Sequence, residues 1–217
     1  MNSRRFSTRR FLRDERGSVF VEFTLIVFSL LVVTGGIIDF GVALYQWNAA
    51  TKAMQQGVRL AAVSDPVSSD LKTMTGLEGG ATAGATFPAF TRVCSGASSS
   101  CSGGTYSATA MNTLVYGRNE VTCGTVALSQ LAGMCDIFNR ISPANVTVIY
   151  TQTGLGFAGR PRGPVPTITL QLSGLTFNLP FLQSLLGMAP LTIPPMRTSA
   201  TGEDMCTQGL NPAGGCP

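Results

Sequence analysis

Histidine is absent from this 217-residue sequence. That absence removes the Ser-His-Asp and Cys-His nucleophile arrangements and the commonest metal ligand at once. Charge is also scarce, at 12% of residues. The acids after residue 60, namely Asp65, Asp70, Glu78, Glu120, Asp136, Glu203 and Asp204, are scattered along the chain and read as solvated surface charge. No Gly-x-x-x-x-Gly-Lys-Ser/Thr phosphate loop occurs. No cysteine precedes Cys94, and no Cys-x-x-Cys pair is present to build a closed zinc site. The expectation is a protein that is not an enzyme and holds no metal and no cofactor.

Proline is missing from the first sixty-five residues, and within that stretch lies a long apolar run from Ser18 to Ile38 with one acid, Glu22. A bilayer core about 30 Å thick needs roughly 20 apolar residues as helix, and this run supplies them. Ordinary signal cleavage is not expected, because a signal peptide has a shorter apolar region and a small-residue cleavage site. A lipoprotein needs a Cys directly after the run, and Cys94 is too far away.

Six of the 15 basic residues (Arg4, Arg5, Arg9, Arg10, Arg13, Arg16) and two of the 11 acidic ones lie in residues 1–17, which leaves nine of each elsewhere. The positive excess therefore sits in one tail beside the membrane, whereas nucleic-acid binding needs it spread over a folded face; no nucleic-acid partner is expected. Flanking arginines stay on the cytoplasmic side. The expected protein is single-pass in the inner (cell) membrane, N-terminus inside, with the remainder periplasmic or extracytoplasmic. All six cysteines, Cys94, Cys101, Cys123, Cys135, Cys206 and Cys216, fall in that outer part, where an oxidising compartment favours disulfides. Sequence neighbours suggest Cys94 with Cys101, Cys123 with Cys135, and Cys206 with Cys216.

Glu22 admits two readings. An ionised carboxylate costs roughly 2.5 to 3.5 kcal/mol at the centre of a membrane helix and less near the interface, so Glu22 either snorkels to the headgroups or has a partner. The neighbours bear on this: an arginine-rich leader, Gly17, then Glu22 at the head of a long apolar helix resembles the processing site of type IV pilin-like proteins. The set Arg16-Gly17-Ser18 with Glu22-Phe23, then Gly36 with Asp39-Phe40-Gly41, then Gln56-Gly57-Val58-Arg59, is similar to the TadE-like family of minor pseudopilins of the tight-adherence (Flp) pilus machinery. The resemblance implies a membrane prepilin peptidase cutting between Gly17 and Ser18, and Glu22 meeting the new amino terminus of a neighbouring subunit. It further implies partner contacts through Asp39, Phe40, Gly41 and Arg59 with other pilin-like subunits and the inner-membrane assembly platform.

Organisation follows from patterning. Beyond the apolar run, Ala43, Trp47, Ala50, Met54, Gly57 and Ala61 recur at alternating four and three residues, one helix face. One helix over 18–63, roughly 70 Å long, is expected, with Arg59 placed to favour its C-terminus. Gly35-Gly36 marks either a weak spot or a place for close approach of another helix. Residues 64–107 are rich in Gly, Ser and Thr and read as a long loop. Residues 108–217 read as a small domain: a helix over 125–141, strands over 145–152 and 166–172 joined as a hairpin, a third strand over 175–179, a short helix over 181–187, and a fourth strand over 191–199 broken by Pro194-Pro195. The Asn145-Val146-Thr147 triplet fits a glycosylation sequon. The fold class is α+β: a long transmembrane helix leaving the membrane, then an antiparallel-sheet domain with one or two helices and disulfides. Two functions remain in play, a minor pseudopilin in pilus assembly and an uncleaved signal-anchored binding domain that needs neither Gly17 nor Glu22.

Overall fold

A computed structural model describes residues 16–118, 122–124, 131–161, 163–203 and 205–206. The first element, α1 (Arg16–Val63), is a 48-residue helix. It persists because no proline removes a backbone donor and because its hydroxyls are returned to the helix. Thr24 donates to the Phe20 carbonyl at 2.8 Å and Thr34 to the Leu30 carbonyl at 2.7 Å, which leaves those side chains satisfied without water. The helix ends at Val63, three residues before Pro66.

The chain divides into two units, Met1–Leu44 with Asn178–Pro190, and Tyr45–Phe177 with Leu191–Pro217. In the first, the apolar run has almost no protein cover: the most apolar window of α1 has a mean hydropathy of 2.3 and is 11% buried. Phe20 is 71% exposed and Ile37 67% exposed. This is one helix long and apolar enough to cross a membrane, and it gives the protein a single-pass anchor. The other element of the unit is α4 (Pro180–Leu186), started by Pro180 at its first position and stopped by Gly187 in the left-handed conformation.

The second unit is built on an antiparallel sheet of β1 (Thr91–Ser95), β2 (Ser100–Ser102), β3 (Val146–Thr151), β4 (Thr167–Leu172) and β5 (Met196–Thr201), in the order β2-β1-β3-β4-β5. The period-two pattern expected for β3 and β4 puts Val146, Val148 and Tyr150 on the buried face opposite Leu172, Leu170 and Ile168. Against that face pack α2 (Ala108–Tyr116), through Met111 and Leu114, and the stretch of α1 carrying Ala50, Ala53, Met54 and Ala61. The short helix α3 (Met134–Ile137) adds Met134 and Cys135 to the same core.

Several expectations are corrected. The Gly/Ser/Thr-rich stretch 64–107 is not a plain loop: it contains a 3₁₀ turn (Ser69–Lys72) and the β1–β2 hairpin. The hairpin forms because the ladder to β3 and the Cys94–Cys101 disulfide hold it, with only Cys94 turned fully inward. Of the helix expected over 125–141, residues 125–130 lie outside the described residues and the rest is helical only over Met134–Ile137. The third strand over 175–179 is reduced to a single bridge, Thr176 to Thr192. The last strand starts only at Met196, after Pro194 and Pro195, which have no donor for a ladder. Arg59 lies outside the last turn of α1 and so does not serve its C-terminus.

Two contacts hold the second unit at points where small changes are felt. The Tyr150 hydroxyl, fully buried, accepts the Val67 backbone N–H at 2.9 Å. Burial pushes the Tyr150 phenol above its ordinary range, the Val67 bond opposing only in part. At Gly57, a Cβ would stand 2.5 Å from Met134 Sδ and 2.9 Å from Leu170 Cδ2, both on fully buried side chains.

Tyr150→Phe leaves the buried Val67 N–H without an acceptor and is expected to cost about 1–3 kcal/mol in denaturant unfolding. Because the folded-state Tyr150 value is raised, its stabilisation is present below pH 10 and is lost as pH rises beyond it. In a base titration followed by phenolate absorbance, Tyr150 should ionise only with unfolding. Gly57→Ala gains about 1 kcal/mol in helix propensity. Pushing aside Met134 and Leu170, both fully buried, costs about 1–3 kcal/mol, so a net loss in stability is expected by the same unfolding measurement.

Candidate functional site

The head of α1 holds the residues singled out from sequence. Gly17 and Ser18 lie in its first turns, and Glu22 follows on the helix, exposed, among Val19, Phe20, Phe23 and Ile26, which are 62–71% exposed. Among the described residues Glu22 makes neither a hydrogen bond nor an ion pair. A carboxylate inside an uncovered apolar surface has two ways to be satisfied, water at the interface or a positive group from another molecule.

Asp39 lies about 25 Å further along the same helix, directly after the apolar run, and its surroundings differ. It is fully buried. Its two carboxylate oxygens accept the backbone N–H groups of Phe181 at 3.2 Å and Leu182 at 2.6 Å. Pro180 has no N–H, so these are the first donors α4 offers, and Asp39 caps that helix from a position 142 residues earlier in the chain. One turn before Asp39, Gly35 lets the helix-to-helix approach close: a Cβ there would stand 3.1 Å from the Phe181 ring. Of the two roles open to Gly35-Gly36, close approach is the one Gly35 takes. The neighbours Phe40 and Gly41 stay free: Phe40 is 65% exposed and nothing lies within 4 Å of a Cβ built on Gly41. The contact expected at Asp39 was with another subunit; sequence reasoning missed α4 as its intramolecular partner, because the two are joined only by tertiary structure. Arg59 is exposed on the second unit's part of α1.

The cysteines form Cys94–Cys101 and Cys123–Cys135. Cys206 is also disulfide-bonded; its expected partner Cys216 lies outside the described residues. Beside Cys123 and Cys135, Asp136 accepts the N–H groups of Gly124 at 3.1 Å and Gly133 at 2.8 Å, fixing the start of α3.

A groove of about 450 Å³ opens on the second unit, with Met74, Phe87 and Phe90 on its apolar side and Asp70, Glu78 and Arg92 at its polar rim. The rim groups are already engaged. Arg92 Nε donates to Asp70 at 2.9 Å and its guanidinium lies 5.7 Å from the Phe90 ring centroid. Glu78 accepts from the Thr75 N–H at 2.7 Å, and chiefly that bond lowers its carboxyl to about 2. Glu78 therefore stays ionised at any physiological pH, and its loop contact is lost only as pH falls well below the usual carboxylate range.

One pattern singled out from sequence, and one that sequence reasoning missed, resolve as structural. Asn145 precedes β3, and its amide is occupied: Oδ1 accepts from the Ser142 N–H and hydroxyl, and Nδ2 donates to the Ser173 carbonyl at 3.2 Å. Gly154, Gly156 and Gly159 have the spacing of a dinucleotide fingerprint after β3, but the chain runs on into antiparallel β4 and opens no helix on which a pyrophosphate could sit.

The family model described as TadE-like protein matches residues 17–59, the stretch from Gly17 to Arg59. Comparison with curated proteins and with solved structures gives no match.

Replacing Asp39 by Ala removes the side-chain acceptor of two N–H groups, worth about 1.5–3 kcal/mol. Amide hydrogen exchange at Phe181 and Leu182 in the full chain should therefore quicken roughly 10- to 100-fold, with Asp39→Asn between the two. Unchanged exchange in Asp39→Ala would show that the cap contributes nothing.

Proposed function

We propose that this chain, TadE-like over residues 17–59, is a minor pseudopilin that takes part in assembly of a Flp/tight-adherence pilus. The observation that carries the reading is Glu22: an exposed carboxylate five positions after Gly17, on a stretch of helix whose apolar side chains are bare among the described residues. In this reading a prepilin peptidase cuts between Gly17 and Ser18. The Ser18 amino group of one subunit then meets Glu22 of another in lipid, where an unpaired charge gains most from an opposite one. The leader stays cytoplasmic and the anchor sits in the inner membrane, with the disulfide-bonded unit outside, where an oxidising compartment supports its bonds. Phe40 and Gly41 present a free surface for pilin-like helices or the assembly platform, and Arg59 a solvent-facing cation for a second contact. The role is structural.

The alternative, an uncleaved anchored binding domain, finds its one support in the groove beside Phe87 and Phe90. The rim groups there are already engaged within the chain, Arg92 with Asp70 and Glu78 with Thr75, and this makes it the weaker reading.

The mature N-terminus, measured by mass spectrometry in cells with and without the peptidase, separates the two. The expected result is a chain starting at Ser18 only when the peptidase is present; an intact leader in both would overturn the processing. Glu22→Ala should leave the outer unit folded and processing intact. It should weaken subunit association by about 3 kcal/mol or more, roughly 100-fold, read as lost co-purification with pilus subunits.

A further inference from the structure

We propose that the segment 178–190, with α4 at its centre, is a second membrane contact that lies in the headgroup–acyl boundary of the bilayer that α1 crosses. The inference rests on the anchor reading of α1 and adds to it a site made by sequence far from the span. Three observations meet. The segment carries no charged residue. Its large apolar side chains are bare: Phe181 is 43%, Leu185 51%, Leu186 49% and Met188 42% exposed. It belongs to the same unit as the apolar run and is fixed to the end of that run by the Asp39 cap and by Phe181 against Gly35.

The level of the attachment selects the occupant. A span of about 30 Å beginning near Ser18 ends near Ile38. Gly35 and Asp39 therefore lie one turn apart at the boundary between hydrocarbon and headgroups, and α4 is held at that depth. A short helix there with bare Phe, Leu and Met meets acyl chains on its outer side, as interfacial helices do. The bare side chains of 178–190 and those of the apolar run belong to one unit and meet at the Asp39 cap, and one solvent accounts for both. Gln183, half-buried, and Ser184, whose hydroxyl donates to the Pro180 carbonyl, place no unsatisfied charge in the boundary.

The test uses the full chain in vesicles of phosphatidylcholine and phosphatidylglycerol, with Trp47→Phe to remove the single native tryptophan and one reporter introduced at a time. Leu185→Trp and Met188→Trp replace exposed side chains; Leu30→Trp, in the span, is the control. The expected result is about twofold or greater loss of Leu185→Trp and Met188→Trp emission on using acyl-brominated lipid, with little quenching by aqueous iodide. Quenching by iodide and not by brominated lipid would place the segment in water and overturn the proposal. Protection from both would mean that protein covers the segment, by a second copy or another subunit, and would overturn it too. If Leu30→Trp is quenched by brominated lipid and the 178–190 reporters are not, the anchor stands and only this inference falls; if Leu30→Trp also fails, the anchor reading falls with it.

Discussion

Everything described in this protein is arranged around one constraint: a helix whose first half is too apolar for water and, among the described residues, is covered only at its end by α4. Lipid is the solvent that satisfies residues 18–38, and a helix is the structure that leaves no backbone donor or acceptor unpaired there. The threonine hydroxyls follow the same rule by bonding back to the helix. Glu22 breaks it, and Asp39 escapes it through α4. The two carboxylates of α1 thus differ by what surrounds them: one has a partner within the chain, and the other has none among the described residues.

The same helix changes its side-chain vocabulary along its length. In the apolar run the exposed residues are Phe, Leu, Ile and Val, which suit a fluid that contacts all sides. Over 49–61 the buried residues are largely Ala, Gly and Met, and the backbone of α1 can approach the sheet closely. Hydrophobicity alone does not separate the two halves; residue size does, since bulky side chains pack against acyl chains and small ones against β-strands.

This difference governs what could be read in advance. The helix, its stripe, the β3–β4 hairpin and the two local disulfides were legible because each is written in a short-range period or a short cysteine spacing. The β1–β2 hairpin was not, because Thr91, Arg92 and Ser95 and the serines beside Cys101 bury little apolar area. Strand formation there is decided by the ladder to β3, which lies fifty residues away in sequence. The strand expected over 175–179 shrank for the converse reason: its alternation was present, but the neighbour it bridges at Thr192 is only the three residues between Pro190 and Pro194. At the candidate site, Gly17, Ser18 and Glu22 were visible as a motif, whereas the tie from Asp39 to α4 joins residues 142 positions apart and leaves no local trace.

That separation has a consequence for biogenesis. The Ala-rich stripe of α1 is among the first parts of the second unit to be synthesised, yet the strand residues that cover it, Val146 to Leu172, emerge far later, and the last strand ends at Thr201. Contacts of such high sequence separation form slowly. Until they do, the nascent chain displays a bare, narrow-sided helix tethered to a membrane by its own anchor, at high local concentration with other such helices. A holding chaperone would find its most obvious substrate in that interval.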